Sequence, residues 1–454
     1  MVEALPVMML VCLALLLFSG LPVAIVLAGL GITFSLLGVA LGEMPLLALY
    51  NVPIKMWGSI SQGLTYAAVV MLLFMGVALE KSGVARDLLT CMQLVFRRVP
   101  GGLGLAVIVM GVVLAPAAGL VGASVVTLAL IAMPSLLSNG YRPEYASGAI
   151  AAAGTVGVIL PPAVMLFFLA SQFQLTIGAM FLATVIPGGL LVAAYALYFV
   201  GAGWLRPPSK RAEDVMTPST PVGWVQLLSR GLVAPLALVG LVLASITFGW
   251  ATPRQSAAVG AAGGLVLVAL NGRLNWAMFV DIVRSTALLC AMVFFIIIAA
   301  AVFSYPFVYF GGNDLITSAL DSLETGPWGK LAVILGIIFV LGFFIDWIEI
   351  TIIFLPLFLP TLSTLEFAGH VAFGNDATML WMATLVALTL QTSFVTPPFG
   401  FALFFLKGAS PEGVTLPHIY RGIIPVVALQ VVVITLLLAL PMLAVELPAR
   451  VFGE

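Results

Sequence analysis

Charge is scarce in this sequence. Of 454 residues only 17 are Lys or Arg and 18 are Asp or Glu, 8% in all, beside two His and three Cys. A soluble globular domain carries about 25% charged residues, so a soluble fold is excluded. The net charge of −1 supplies no basic surface for nucleic acid. Cys12, Cys91 and Cys290 are scattered, lack metal-ligand spacing and cannot all pair; they read as small apolar fillers. No glycine loop of the nucleotide-binding type is present, which argues against ATP hydrolysis by this chain. His370 and His418 fall in expected loops and suggest neither catalysis nor a metal. What fills the chain is apolar residue, 63% of it, with a mean hydropathy of +1.24. This is the composition of a polytopic membrane protein. The first apolar segment runs into the second without a small-residue cleavage site, so it reads as a retained span and not a signal peptide.

Apolar runs able to cross about 30 Å of hydrocarbon fall near 4–20, 22–41, 64–80, 145–172, 178–201, 230–250, 254–270, 284–306, 377–407 and 421–447. Two further stretches, 103–138 and 330–365, are too long for one span and carry sharp interruptions, PAAGLVGAS at 116–124 and GFFIDWIEIT at 342–351. Each is expected to fold back as a re-entrant pair of half-length helices. The one clearly polar linker is RPPSKRAEDVMTPSTP at 206–221.

These stretches repeat. LAVIVMG at 105–111 matches LAVILGI at 331–337, and IAMPSLL at 131–137 matches LFLPTLS at 357–363 at the same offset of 226. A Pro-Pro pair follows in each copy, at 161/162 and 397/398, and an amphipathic stretch precedes each, at 84–98 and 313–325. In the first, Val84, Leu88, Met92 and Val95 share one face, as in a helix lying along the membrane surface. Five crossings separate the two hairpins, and an odd number inverts one repeat relative to the other. Lys and Arg favour the cytoplasmic side. With the loop at 81–100 inside, thirteen of the seventeen basic residues are cytoplasmic, and only Lys55, Arg254, Lys330 and Arg450 are outside. Both termini are then periplasmic.

The breaks are where chemistry is expected. Two adjacent prolines remove two backbone donors and clash with the preceding turn. In lipid, freed backbone groups are tolerated only when packed in protein or facing a wet site. Paired broken helices in inverted repeats mark secondary transporters, with ions and substrates held near the midplane. Freed carbonyls can coordinate a cation, and half-helix N-termini can face an anion. Hydroxyls and close-approach glycines cluster there, and hard cations take oxygen ligands. The sodium candidates are Gly122, Ser124, Gly154, Thr155, Gly157, Pro161, Asp346, Thr392, Thr396, Pro397 and Gly400; the substrate candidates are Ser124, Pro162, Asp346, Glu349, Ser393 and Pro398. Asp346 and Glu349 are the only charges between Lys330 and Glu366, and intramembrane carboxylates default to function. Neither has an acidic counterpart at the first tip, GLVGAS. The bland alternative for each hydroxyl is a back-bond to its own helix. Seven of the eight tryptophans read as interfacial anchors, with Trp347 the exception.

At LEKSGVARDLL (79–89), GLVGASVVTLALIAMP (119–134), AAAGTVGVILPP (151–162), GFFIDWIEITIIFLPLFLP (342–360) and TPPFGFALF (396–404) the sequence resembles the large membrane subunit of the tripartite ATP-independent periplasmic (TRAP) transporters. The likeness is greatest to the branch labelled for mannitol or chloroaromatic compounds, and it covers essentially the whole chain. It implies an all-α polytopic protein of inverted repeats, with two re-entrant hairpins and two broken helices, in an elevator-type ion-transporter-like fold. It also implies sodium-coupled import of a small organic acid across the bacterial inner membrane. The partners implied are a periplasmic substrate-binding protein and a small four-helix membrane subunit on a separate chain, with Na+ as coupling ion and no organic cofactor. Many members carry two successive hydroxyls at the first tip; Ala123 here shifts the weight to Ser124 and backbone carbonyls.

The expected organisation has scaffold helices and a first arm over 1–100, and a first transport repeat over 101–201 with hairpin 103–138 and broken helix 145–172. A linker, scaffold helices and second arm follow over 202–326, then a second transport repeat over 327–408 with hairpin 330–365 and broken helix 377–407, and a C-terminal helix over 409–454. The alternative within transport is a stand-alone ion- or proton-coupled carrier of the dicarboxylate type, whose Ser-Asn-Thr hairpin motifs are missing. An integral-membrane enzyme using Asp346 and Glu349 as acid and base lacks a nucleophile or metal cluster. A passive channel would need a continuous polar pore.

Overall fold

The computed structural model describes residues 4–17, 19–61, 66–96, 98–114, 121–208, 228–367, 369–371 and 374–452. The expected tip residues 116–120, the linker from 209 to 221 and Arg97 lie outside these. Among the described residues the regular structure is helical, with no strand. Six helices there are long and apolar enough to cross a membrane: Val23–Ala40, Val121–Ser138, Ile177–Leu205, Ser229–Thr247, Trp276–Tyr309 and Leu416–Ala439. Large aliphatic side chains such as Ile25, Leu197, Leu288 and Val432 are exposed along them. A water-soluble monomer avoids such surface, whereas lipid solvates it.

Each interrupted stretch resolves into two apolar helices. Gly102–Val113 is followed by Val121–Ser138. Pro327–Leu341 is followed, after a turn over 342–346, by an apolar helix over Trp347–Ser363. Each Pro-Pro pair then separates two further helices: Pro143–Val156 from Val164–Gln172, and Gly374–Ser393 from Phe401–Ala409. Both Pro-Pro peptide bonds are cis. Helix starts are locally encoded, by Pro143 in the first turn and by reciprocal capping between Thr252 and Gln255.

The structure corrects several expectations. The last apolar run is two helices, Leu416–Ala439 and Met442–Phe452. His418 is not in a loop but in the first turn of the former, where its Nδ1 accepts from the Thr415 amide at 3.2 Å. A helix over Asn51–Ser61 was not foreseen; none of its side chains is buried. Trp381 joins Trp347 as a fully buried tryptophan, its Nε1 donating to the Leu437 carbonyl at 2.8 Å. The first amphipathic stretch forms Val84–Phe96 and buries Val84, Leu88 and Met92; the second ends at Asp321.

The chain groups into two compact units. One comprises Met1–Ala67, Ala287–Ile337 and Trp347–Phe367. Within it Gly31 is pressed to the Val302 carbonyl, where an added Cβ would stand 2.4 Å from the oxygen. Tyr305 ties down the segment before Asn51 by donating to the Ala48 carbonyl at 3.0 Å. The other unit comprises Ala68–Thr286, Ile338–Asp346 and Ala368–Glu454. Its centre is the helix Pro143–Val156, buried from Ala146 to Val156. Small residues let three backbones approach it. A Cβ on Gly148 would stand 2.4 Å from the Gly422 carbonyl, one on Gly111 2.3 Å from that of Ala153, and one on Gly154 2.6 Å from Val125 Cγ2. Close approach of this kind is how membrane helices gain packing where lipid offers no hydrophobic drive.

Candidate functional site

At the first break the helix from Pro143 ends at Val156, a turn runs over 157–159, and Pro161 and Pro162 carry the chain to Val164. Gly154 and Gly157 line a small cavity together with Ser124, Thr127 and Leu128 of the hairpin's second helix and Gly111 of its first. The cavity measures about 20 Å3, and a water-sized body needs roughly 10–15 Å3. It therefore has room for a body the size of a water or a bare ion.

The wall of this cavity includes a residue that sequence reading passed over. Glu80, at the end of the helix Tyr66–Lys81, lines it, and its Oε1 accepts a hydrogen bond from Thr127 Oγ1 at 2.8 Å. The acidic group missing from the first tip thus comes from a separate helix. Its signal lay in plain view in LEKSGVARDLL, a carboxylate at the end of an apolar run.

Other first-repeat candidates are placed elsewhere. Thr155 is fully buried and donates to the Ala151 carbonyl at 2.9 Å; it is not among the cavity-lining residues. Gly122 packs beneath Phe405, where a Cβ would lie 2.8 Å from the ring. The helix after the prolines begins at Val164 with no side chain capping its first turn, leaving orphan N–H groups and the positive end of its dipole at the break.

The second break brings its candidates together differently. Ser393 meets Gly342 so closely that a Cβ on the glycine would stand 1.9 Å from Ser393 Oγ. Phe344 and Phe399 lie with ring centroids 5.4 Å apart. The turn over 342–346 is thereby packed on the break at Thr392–Gly400. Asp346, half-buried, closes that turn directly before the helix that starts at Trp347, a position where a carboxylate complements unpaired helical N–H groups. Glu349 is buried and followed by a π turn over Ile350–Phe354. Gly400 is held against the Phe394 and Thr396 backbones, and Tyr420 donates to the Pro398 carbonyl at 2.9 Å.

The hydroxyls share one polarity. Thr392 donates to Leu388, Ser393 to Leu390 and Thr396 to Thr392 carbonyls, at 2.7–2.8 Å. With its proton committed, each oxygen offers only lone pairs to a ligand, which suits a cation and not an anion. Gln391, beside them, is fully buried, and among the described residues neither atom of its amide has a hydrogen-bond partner. An orphaned buried amide is costly and was not on the sequence-derived list. Among the described residues no group of three His, Cys, Asp or Glu is placed to hold a metal.

The fold and these paired breaks define a secondary-transporter class of membrane protein. The family model for the tripartite ATP-independent periplasmic transporter DctM component matches residues 10–443. The chain belongs to this family and is a multi-pass protein of the bacterial inner membrane. It is 24% identical over 391 residues to the C4-dicarboxylate TRAP transporter large permease protein DctM of Pseudomonas aeruginosa, covering 86% of this chain and 87% of that one. To the isethionate TRAP transporter permease protein DctMQ of Oleidesulfovibrio alaskensis it is 26% identical over 434 residues, 94% of this chain but 64% of the relative. To the sialic acid TRAP transporter large permease protein SiaM of Vibrio cholerae it is 23% identical over 435 residues, 94% and 96% of the two chains. These relatives are named as transporter permeases, not enzymes. In fold it resembles the YdaH transporter of Alcanivorax borkumensis, with TM-score 0.61, 14% identity and coverage of 94% and 98%. It also resembles MtrF of Neisseria gonorrhoeae, with TM-score 0.55, 15% identity and coverage of 89% and 84%.

Proposed function

We propose that this chain is the membrane permease of a sodium-coupled importer of a small organic acid, which a periplasmic binding protein delivers. The observation that carries the reading is the small cavity where the first broken helix meets the interrupted stretch before it, with Ser124, Thr127 and Glu80 in an otherwise apolar wall. A second break, with its own hydroxyls and Asp346 on the adjoining turn, supports it. In this reading cations bind at the breaks, and the substrate carboxylate is held by their charge and by the uncapped N-termini at Val164 and Phe401. Among the described residues no Lys or Arg lines the cavity, so in this reading the anion depends on the cation, which is the physical basis of coupling. Names among the relatives, C4-dicarboxylate, isethionate and sialic acid, support an organic anion as cargo.

The residues that travel in an elevator movement are 101–201 and 327–408, against a scaffold completed by a small four-helix membrane subunit. The test is uptake by proteoliposomes holding the chain and that subunit, with the binding protein loaded with labelled organic acid. An inward sodium gradient is compared with the same gradient of potassium. Uptake requiring both sodium and the binding protein is expected. Sodium-driven uptake without the binding protein would establish a stand-alone carrier, and uptake driven by a proton gradient alone would replace sodium as the coupling ion.

A further inference from the structure

We infer that Glu80 is the anionic ligand of the first-repeat cation site in this conformation, so that the site is completed by a helix outside the travelling residues and gives up that ligand when they move. The inference rests on the sodium-coupled reading and adds to it the charged group that sets ion affinity.

Four observations converge on Glu80. It lines a cavity with room for an ion. Ser124 and Thr127 line the same cavity, and Thr127 Oγ1 gives its proton to Glu80 Oε1, so its lone pairs remain for a cation. Gly154 and Gly157, at the break itself, line it too. Finally, among the described residues none of the ion pairs includes Glu80. The nearest basic residue in sequence, Lys81, is engaged by Asp281 and by Ser285 Oγ, the latter at 2.8 Å. Among the described residues this half-buried carboxylate has no cationic side chain as partner, and a bound monovalent cation would supply the missing charge.

The chemistry follows from charge balance. Sodium is a hard cation that takes oxygen ligands, by the rule that governs calcium and magnesium. A site built only of hydroxyls and carbonyls leaves the ion's full charge uncompensated in a low-dielectric surround, whereas one carboxylate makes the loaded site neutral. The first repeat offers no carboxylate of its own around the break, and the neighbouring helix supplies it through Glu80.

The test is the sodium dependence of uptake in the complete assembly, with potassium as the control cation, for the unaltered protein, Glu80→Gln and Glu80→Asp. Glutamine keeps an oxygen that accepts from Thr127 and changes only the charge. Glu80→Gln is expected to raise the sodium concentration for half-maximal uptake by about tenfold or more, the scale of losing one charge-assisted contact. Glu80→Asp should recover part of that shift. An unchanged sodium midpoint in Glu80→Gln, with the unaltered protein sodium-dependent, overturns the role of Glu80 and leaves the sodium-coupled reading standing. Sodium-independent uptake by the unaltered protein overturns both. If Glu80→Gln fails to reach the membrane, Thr127→Val carries the test: it removes a ligand and the hydrogen bond that orients Glu80. A raised sodium midpoint supports the proposal and an unchanged one overturns it.

Discussion

At the first break Gly154 and Gly157 face an open cavity whose carboxylate, Glu80, arrives from a different helix. At the second, Ser393 is packed hard against Gly342, and the carboxylate, Asp346, belongs to the hairpin's own turn. The two repeats therefore share their helical order, their proline pairs and their hydroxyls, but not the source of negative charge. A broken helix in lipid supplies neutral oxygens from its own backbone and side chains. Compensating a bound cation takes a full charge, and any element that reaches the break can bring it. Inverted duplication copies the first property with the segment and not the second.

The comparison breaks most severely if Asp346 is dispensable. Asp346→Asn is expected to lower uptake at least about tenfold, as loss of a charge-assisted contact would, with membrane levels unchanged on immunoblots. Wild-type uptake would remove the second repeat's carboxylate from the site.

Packing is the next lever. Gly342→Ala should lower stability by about 1–3 kcal/mol, the usual cost of overpacking, because its Cβ would stand 1.9 Å from Ser393 Oγ and 2.7 Å from Ser393 Cβ. Thermal unfolding of the purified protein reads this. Ser393→Gly should rescue Gly342→Ala more fully than Ser393→Ala does, since only glycine removes both atoms.

At the first break the equivalent strain is softer. Gly154→Ala meets the Val125 Cγ2 methyl at 2.6 Å, and Val125→Ala should relieve it, as the same melting measurement will show. Ser124→Ala is expected to raise the sodium midpoint of uptake several-fold, as losing one neutral ligand of about 1 kcal/mol would. Thr155→Val should leave that midpoint unchanged, because Thr155 is fully buried and is not among the residues that line the cavity. Equal shifts in the two variants would return Thr155 to the site.

The smallest effect is expected at the ion pair beside Glu80. Asp281→Asn breaks the ion pair with Lys81, in which the Asp281 side chain is 56% exposed. Exposed pairs of this kind contribute about 0–1 kcal/mol, so its melting temperature should barely move.

How much of this was readable depended on range. Pro161 and Pro162, and Pro397 and Pro398, announced the breaks because a missing N–H acts within one turn. The hairpins were legible because each apolar stretch was too long for one span and had a polar or glycine-rich interior. The helix over Asn51–Ser61 escaped; none of its side chains is buried. The split at Ala439 escaped because the apolar run continues through it to Met442. Thr155 was read as a ligand beside Ser124 because both lie next to glycines, yet only Ser124 lines the cavity.

By itself the sequence determined that this chain lives in a membrane, is interrupted twice in matching fashion, and belongs among the TRAP large permeases. The first two follow from composition and from local covalent geometry, which no partner helix can alter, and the third from the family model that matches residues 10–443. Only the tertiary structure decided that Glu80 meets Thr127 and that Gly342 meets Ser393. Such meetings depend on how separate helices pack, and the small residues that permit close approach do not specify which neighbour will come.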